Sequence, residues 1–148
     1  PMYVAATYTD ATFRKVISSE DAESIFAGAT KGSEVPYIAR EVVSFGLGYI
    51  YKKFSASLDA SYTAAMWADG ANQTAQKNPV TGTADSRFGQ IDDNFVVDAA
   101  LGWRFNKNVR TFSSLKNIFD EKYEVSRQPL GSRPGMPFSM MAGLEFNF

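Results

Sequence analysis

Phe95-Val-Val-Asp-Ala-Ala-Leu-Gly-Trp-Arg-Phe105 is the stretch that decides the fold of this chain. Its large apolar and aromatic side chains fall mainly on one parity, and Asp98, Gly102 and Arg104 fall on the other. The first set is Phe95, Val97, Ala99, Leu101, Trp103 and Phe105. Successive side chains of a β-strand point to opposite faces of the sheet, so this alternation predicts a strand with one apolar and one polar face.

The same alternation recurs in other segments. Phe54 to Met66, Val43 to Tyr51 and Phe138 to Phe148 repeat it clearly, and the last of them ends on an aromatic residue. Two further strands are predicted at Met2 to Val16 and Val109 to Asn117, where the residues sort less cleanly by parity. Strands of about 10 to 14 residues agree with a tilted bilayer crossing, which needs about 9–11.

The connections alternate in length. The segments Tyr51 to Phe54 and Phe105 to Val109 are predicted tight turns, whereas 17–39, 68–91 and 121–135 are long and rich in Gly, Ser, Asn, Asp and Pro. Aromatic residues such as Tyr51, Phe54 and Trp103 lie beside the short turns, as in the aromatic belt of a membrane protein. Short turns at one end and long loops at the other are typical of an outer-membrane barrel.

The charges inside the clearest strands separate this interpretation from a soluble one. Half-buried strands of sandwiches and lipocalin-like barrels also alternate. Here, however, the apolar parity carries none of the four charges, and the opposite parity is small and polar rather than rich in Lys and Glu. A charge facing lipid at the bilayer centre costs about 2–4 kcal/mol, which favours a membrane barrel. The four residues are Asp59, Asp98, Arg104 and Glu145.

Composition removes several functions. The 148 residues contain no His and no Cys, and the net charge is −1. The usual catalytic bases, thiolate nucleophiles and soft metal ligands are therefore missing, and no field attracts nucleic acid. We expect no catalytic residues, no metal site, no cofactor and no enzymatic activity. No apolar run approaches the roughly 18 residues that a spanning helix requires.

The motifs resemble a known family. Asn117-Ile-Phe-Asp-Glu-Lys-Tyr123, followed by a Gly-containing loop and a final strand that ends at Phe148, resembles the carboxyl-terminal signature of TonB-dependent outer-membrane receptors. The runs Gly32 to Arg40 and Trp67 to Asn72 lie where that family places external loops. Val35-Pro36-Tyr37 and Ala68 to Asn72 make the chain most similar to the ferric citrate receptor type.

The resemblance implies an all-β, antiparallel, up-and-down transmembrane β-barrel. In the family that barrel has 22 strands and a plug domain at its amino-terminal end, so residues 1–148 would supply about six strands and lack the plug. We interpret the chain as a fragment or processed piece of a receptor that imports a ferric chelate, a siderophore or ferric citrate. TonB would act through the missing amino-terminal region. Long loops would be extracellular and the terminus periplasmic, in the bacterial outer membrane.

Further partners and sites follow from the same resemblance. Phe148, with Phe146, matches the terminal aromatic signal that the barrel-assembly machinery recognises, and outer-membrane lipid and lipopolysaccharide would surround the barrel. A receptor for an anionic chelate needs cationic and hydrogen-bonding groups at its mouth. Loop residues that contact only solvent or lipopolysaccharide phosphates are the alternative. The last long loop supplies Ser126, Arg127, Gln128 and Arg133 as the predicted ligand-binding residues.

Two other functions stay open at this point. One is a smaller structural or adhesive outer-membrane barrel, which a parent chain of roughly 200 residues would favour. The other is an enzyme inside a barrel, such as an outer-membrane protease or lipase, which the absence of His disfavours.

Overall fold

The computed structural model describes residues 1–17, 19 and 21–148, and a six-stranded antiparallel sheet is its main element. Each strand of this sheet pairs with the preceding one, so the topology is up-and-down and the predicted all-β fold is confirmed. The long strands are β1 (Met2–Tyr8), β2 (Glu41–Tyr51), β3 (Phe54–Thr63), β6 (Asn94–Arg104), β7 (Val109–Lys116) and β10 (Ser139–Phe146). The short strands, in two separate pairs, are β4 (Met66–Trp67), β5 (Gln90–Ile91), β8 (Glu124–Ser126) and β9 (Arg133–Pro134).

The pairing register separates an apolar face from a polar face, as the alternation predicts. Leu58 of β3 lies opposite Leu47 and Ala99, whereas its neighbour Asp59 lies opposite Gly46 and Asp98. The same register places Arg104, Arg110 and Glu145 on the polar face. This face lines an open trough, so the sheet is an open partial barrel with its polar side inward.

Two rings on the polar face explain why β1 and β7 sort poorly by parity. Phe112 lies opposite Gly143, and its ring carbon is 2.5 Å from the place that a Cβ would take there. The Tyr3 ring lies over Gly46 in the same way, at 2.0 Å. Since glycine leaves its face of the strand uncovered, a ring from the next strand fills the space. The Tyr3 hydroxyl also donates a hydrogen bond to Asp59 Oδ1 at 3.2 Å.

The strand boundaries differ from those predicted. β1 ends at Tyr8 rather than Val16, because Thr12 pairs only through an isolated bridge with Glu34. The strands of the sheet have 7 to 11 residues rather than about 10 to 14. The residues that were predicted as strand but lie outside the sheet belong to the loops. Between β1 and β2 the loop begins beyond the hydrogen bond from the Thr9 N–H to the Arg40 carbonyl.

The short turns carry the expected aromatic cluster. Tyr49 stacks on Tyr51 with ring centroids 6.5 Å apart, and Phe54 approaches Trp103 at 6.3 Å. Within residues 1–17, 19 and 21–148, no helix has the length and apolar character to cross a membrane.

The buried apolar side chains lie almost wholly outside the six long strands. Val97 in β6 is the exception among the described residues. The others are Ala27, Ala29, Ala68, Phe88 and Ile91, all in the long connections between strands.

Candidate ligand-binding mouth in the long loops

Three long loops meet at one end of the sheet. Loop A comprises residues 9–40, loop B comprises residues 64–93 with β4 and β5, and loop C comprises residues 117–138 with β8 and β9. Because consecutive strands run in opposite directions, every second connection lies at the same end of the sheet. The loops are therefore neighbours through topology alone.

Loops A and B are joined by backbone and amide contacts. The Gly70 N–H donates to the Ile25 carbonyl at 2.7 Å, and a Cβ at Gly70 would lie only 2.9 Å from the Ala29 Cβ. Asn78 Nδ2 donates to the Ala22 carbonyl at 2.8 Å. A larger residue at position 70 would force the loops apart, so Gly70 permits this close packing.

The Asp69 carboxylate is buried at the centre of loop B. Its Oδ2 accepts a hydrogen bond from the Gly89 N–H at 2.7 Å, and its Oδ1 accepts one from the Ala71 N–H at 3.0 Å. Burial raises the pKa of this carboxyl, while the backbone donors act in the opposite direction. One side chain thus holds together the two ends of loop B, next to Phe88 and Ile91.

A second ionic contact crosses between loops A and B. Arg87 pairs with Asp85 at 2.8 Å and also with Glu23 of loop A. The guanidinium lowers the pKa of the Asp85 carboxyl, and the two carboxylates raise the pKa of Arg87 above its usual range. These charges satisfy one another, so Arg87 has little capacity left for an incoming anion.

Loop C docks on both other loops through Arg127 and Gln128. The Tyr37 hydroxyl of loop A accepts a hydrogen bond from the Gln128 N–H at 3.1 Å. Arg127 Nη1 donates to the Phe88 carbonyl of loop B at 3.1 Å, and its Nη2 lies 2.7 Å from Glu124 Oε2. The Arg127 side chain is 7% exposed, so this pair is shielded from solvent and fixes the position of loop C.

The Asn117 to Tyr123 motif closes loop C at its base. Asn117 is buried, and its amide donates to the carbonyls of Glu121 at 3.0 Å and Met136 at 2.8 Å. Its Oδ1 accepts from the Glu121 N–H at 2.9 Å. Asp120 Oδ1 accepts from the Phe138 N–H at 2.9 Å, and Lys122 and this N–H lower the pKa of that carboxyl. The motif therefore fixes both ends of loop C.

The four predicted ligand-binding residues lie together on loop C but in different environments. Arg127 is buried and ion-paired, while Ser126 and Gln128 hydrogen-bond within the loop and to the Arg87 carbonyl. Arg133 is exposed on β9, opposite Ser126, and makes no ion pair among the described residues. A hollow of about 440 Å³ lined by Tyr123, Pro134 and Pro137 lies beside them.

Sequence reasoning missed the residues that assemble the loops. Asp69, Tyr37 and Asn117 stood inside the runs that carry the family resemblance, but no structural role was assigned to them. Tyr37 and Asn117 have positive φ values of 61° and 48°, which reflect tight turns in the backbone. The alternation of side chains along the sequence does not predict these two turns.

Comparisons with known proteins agree with this geometry. A family model described as TonB dependent receptor-like, beta-barrel, matches residues 2–118. No curated protein sequence matches the chain significantly.

Three solved structures that are similar to the chain are much longer than it is. The unliganded ferric citrate transporter FecA is 23% identical with a TM-score of 0.65, over 78% of this chain and 18% of that one. The closed form of the ferric-catecholate import receptor Fiu from E. coli K12 is 24% identical with a TM-score of 0.63, over 80% and 16%. The siderophore receptor PiuA from Acinetobacter baumannii is 16% identical with a TM-score of 0.63, over 78% and 15%. The chain therefore spans less than a fifth of these receptors, and the likeness shows a shared fold.

Proposed function

This chain belongs to the TonB-dependent receptor-like β-barrel family, and from that membership we propose that residues 1–148 are the carboxyl-terminal barrel portion of a receptor that imports a ferric chelate across the bacterial outer membrane. The plug domain and the contact with TonB would belong to a preceding region of the same polypeptide. Ferric citrate is one candidate ligand, since the ferric citrate transporter FecA shares the fold, and a siderophore is the other.

The observation that carries this proposal is the distribution of polarity over the molecule. The apolar face of the sheet is exposed, with Leu101 at 43% and Met140 at 67%, while the strand charges lie on the trough side. The packed loops cover one end only. A water-soluble sandwich would bury the apolar face, whereas a membrane barrel places it against lipid.

We place the chelate against loop C, with Arg133 as the contacting cation. Its guanidinium is exposed, and its fork of donors suits the carboxylates or other oxyanions of a ferric chelate. Ser126, Arg127 and Gln128 would contribute to ligand binding by holding the part of loop C that carries Arg133 in position. Their hydrogen bonds to Tyr37, Arg87 and Phe88 support that division of roles.

The remaining partners follow from the two ends of the barrel. The exposed apolar face would contact outer-membrane lipid, and the loops would contact lipopolysaccharide. Phe146 and Phe148 are exposed at the carboxyl terminus, where the barrel-assembly machinery would recognise them. The long loops would face outward and the short turns and terminus would face the periplasm.

Titration of the complete gene product with ferric chelates tests the proposal. Trp67 lies in β4 at the base of loop B, so a chelate bound at the mouth is expected to change the Trp fluorescence of the detergent-solubilised protein. Arg133→Gln is expected to weaken binding by about tenfold or more, as for loss of a hydrogen bond to a charged group. Arg14→Gln removes another exposed cation, in loop A, and as the matched control is expected to bind normally.

The outcomes separate the function from the site. A gene product without a domain before Pro1, or one that binds neither ferric citrate nor a ferric catecholate, would overturn the receptor assignment. Normal binding by the Arg133→Gln variant would leave the receptor in place and refute the proposed contact.

A further inference from the structure

Cationic side chains collect at the short-turn end of the trough, far from the loops. Lys52 and Lys53 stand in the turn between β2 and β3, Arg104 ends β6, and Arg110 is in β7. All four line one hollow of about 260 Å³ together with Ser55 and Gly102.

The sheet register places two of these cations directly opposite each other. Arg104 pairs with Arg110 across β6 and β7. Like charges at such a position destabilise a sheet unless something neutralises them. Among the described residues, Arg110 meets one carboxylate, Glu145, at 3.8 Å, and Arg104 has no ion-pair partner. Glu145 itself lies outside the hollow.

Gly102 leaves space beside the Arg110 guanidinium. A Cβ at Gly102 would lie 3.4 Å from Arg110 Nη2 and 2.6 Å from Ser55 Oγ. The buried Gly102 thus leaves room for the guanidinium to lie across β6. The planar fork of a guanidinium is itself rigid, so less side-chain entropy is lost for each hydrogen bond that it makes to an oxyanion.

Further toward the loops, beyond the Ser57 and Ala100 pair, β3 and β6 carry acidic residues on the polar face. Asp59 and Asp98 face each other there, and the Tyr3 hydroxyl and Lys116 satisfy them at 3.2 and 2.7 Å. Charge is therefore segregated along the trough, with Asp59 and Asp98 toward its middle and an excess of cations over carboxylates at the short-turn end. An anion in the trough would be drawn to the cationic end.

From this arrangement we propose that the hollow bounded by Lys52, Lys53, Arg104 and Arg110 is a binding site for a small oxyanion, such as a phosphate group. Arg104 and Arg110 supply paired N–H donors from opposite strands, and Ser55 adds a hydroxyl. Lys53 contributes less, because its Nζ already donates to the Phe105 carbonyl at 2.7 Å. The site lies at the end of the trough opposite to loop C and does not depend on chelate binding.

Calorimetric titration with inorganic phosphate tests the site, using the complete gene product in zwitterionic detergent at low salt. We expect saturable binding that Arg104→Gln and Arg110→Gln each weaken by about tenfold or more. Acetate, with a single charge, is expected to bind more weakly than phosphate. Arg14→Gln removes the same charge in loop A and is expected to leave phosphate binding unchanged.

Glu145→Gln provides a test that misfolding cannot imitate. It removes the only carboxylate near Arg110 in the described part of the chain, yet keeps an oxygen for the Asn147 amide, which donates to Glu145 Oε1 at 3.1 Å. Phosphate should then bind more tightly. The proposal would be overturned if the protein did not bind phosphate, or if the Arg104→Gln and Arg110→Gln variants bound it as tightly as the unsubstituted protein. Weaker phosphate binding by Glu145→Gln would overturn it as well. The assay contains no ferric chelate, so neither result decides the transport function.

Discussion

The sheet and the loop assembly of this chain are stabilised in different ways. In the sheet, large apolar side chains such as Leu144 and Met140 remain 61% and 67% exposed. In the loops, Phe88 and Ile91 are completely buried, and Asp69 and Asn117 are buried with all their contacts made within the protein. The strands rely on backbone pairing and on whatever covers their apolar face, whereas the loops carry a protein core of their own.

This contrast teaches that loop length here does not mean loop disorder. Long connections in compact proteins are usually functional or flexible. Loops A, B and C instead pack on one another through Gly70, Tyr37 and Arg127. A ligand that binds at the mouth would therefore meet a pre-organised surface.

Phe88→Ala should break the loop core with the largest effect. Removal of a fully buried Phe costs about 3–5 kcal/mol, so the amides of loop B should exchange hydrogen much faster while those of the sheet stay protected. Phe119→Ala, at a side chain 68% exposed, should cost less than about 0.5 kcal/mol. Equal exchange in the two variants would show that the loops have no independent core.

Leu58→Lys tests the apolar face of the sheet. If lipid covers that face, a charge near mid-strand should lower the free energy of unfolding in lipid vesicles by about 2–4 kcal/mol. Ser57→Lys places the same charge on the trough side of the same strand and should have a much smaller effect. Urea titration of both variants compares them directly, and similar losses would contradict a lipid-facing surface.

Asn117 variants sharpen the comparison at the border between sheet and loops. Asn117→Gly keeps the backbone at φ 48° accessible but leaves the Met136 and Glu121 groups without their partner, at a cost of about 1–3 kcal/mol. Asn117→Ala should lose about 1 kcal/mol more, because a Cβ disfavours this left-handed conformation. Protease cleavage of loop C should increase in the same order. If the Asn117→Ala variant were more stable than Asn117→Gly, backbone strain at position 117 would be excluded.

The pH dependence of the loop assembly should divide between two carboxyls. The pKa of Asp69 is raised, so the folded protein holds the proton on this carboxyl more tightly than the unfolded chain does. The loops therefore lose stability as the pH rises from about 3.8, the pKa of Asp in the unfolded chain, through the pKa of Asp69 in the folded protein. The pKa of Asp85 is lowered, so its contribution to the stability of the loops is fully present above the pKa of this carboxyl in the unfolded chain. That stability is lost as the pH falls through the pKa of Asp85 in the folded protein.

Amide exchange of loop B between pH 3 and 7 measures these small effects. Asp69→Asn should remove the loss of stability on raising the pH, and Asp85→Asn should remove the loss on lowering it. The prediction fails for Asp69 if its variant keeps the wild-type slope in the upper part of this range.

The strands were largely predictable, and the residues that arrange the loops were not. Strand alternation depends only on the local period, so Phe54 to Thr63 and Asn94 to Arg104 could be identified directly. Tyr3 and Phe112 obscured that signal because their rings cover glycines on other strands. The sequence predicts Arg127 as a ligand contact, and its burial against Phe88 and Glu124 becomes visible only in the folded chain.

The sequence by itself determined which side of the clearest strands is apolar, where the two short turns lie, and which family the motif at Asn117 indicates. Those properties follow from neighbours along the chain. Tertiary structure alone decided that Arg104 and Arg110 face each other and that Asp69 reaches Gly89. Such contacts join residues distant in sequence, and their geometry is set by sheet register and loop packing rather than by any local preference.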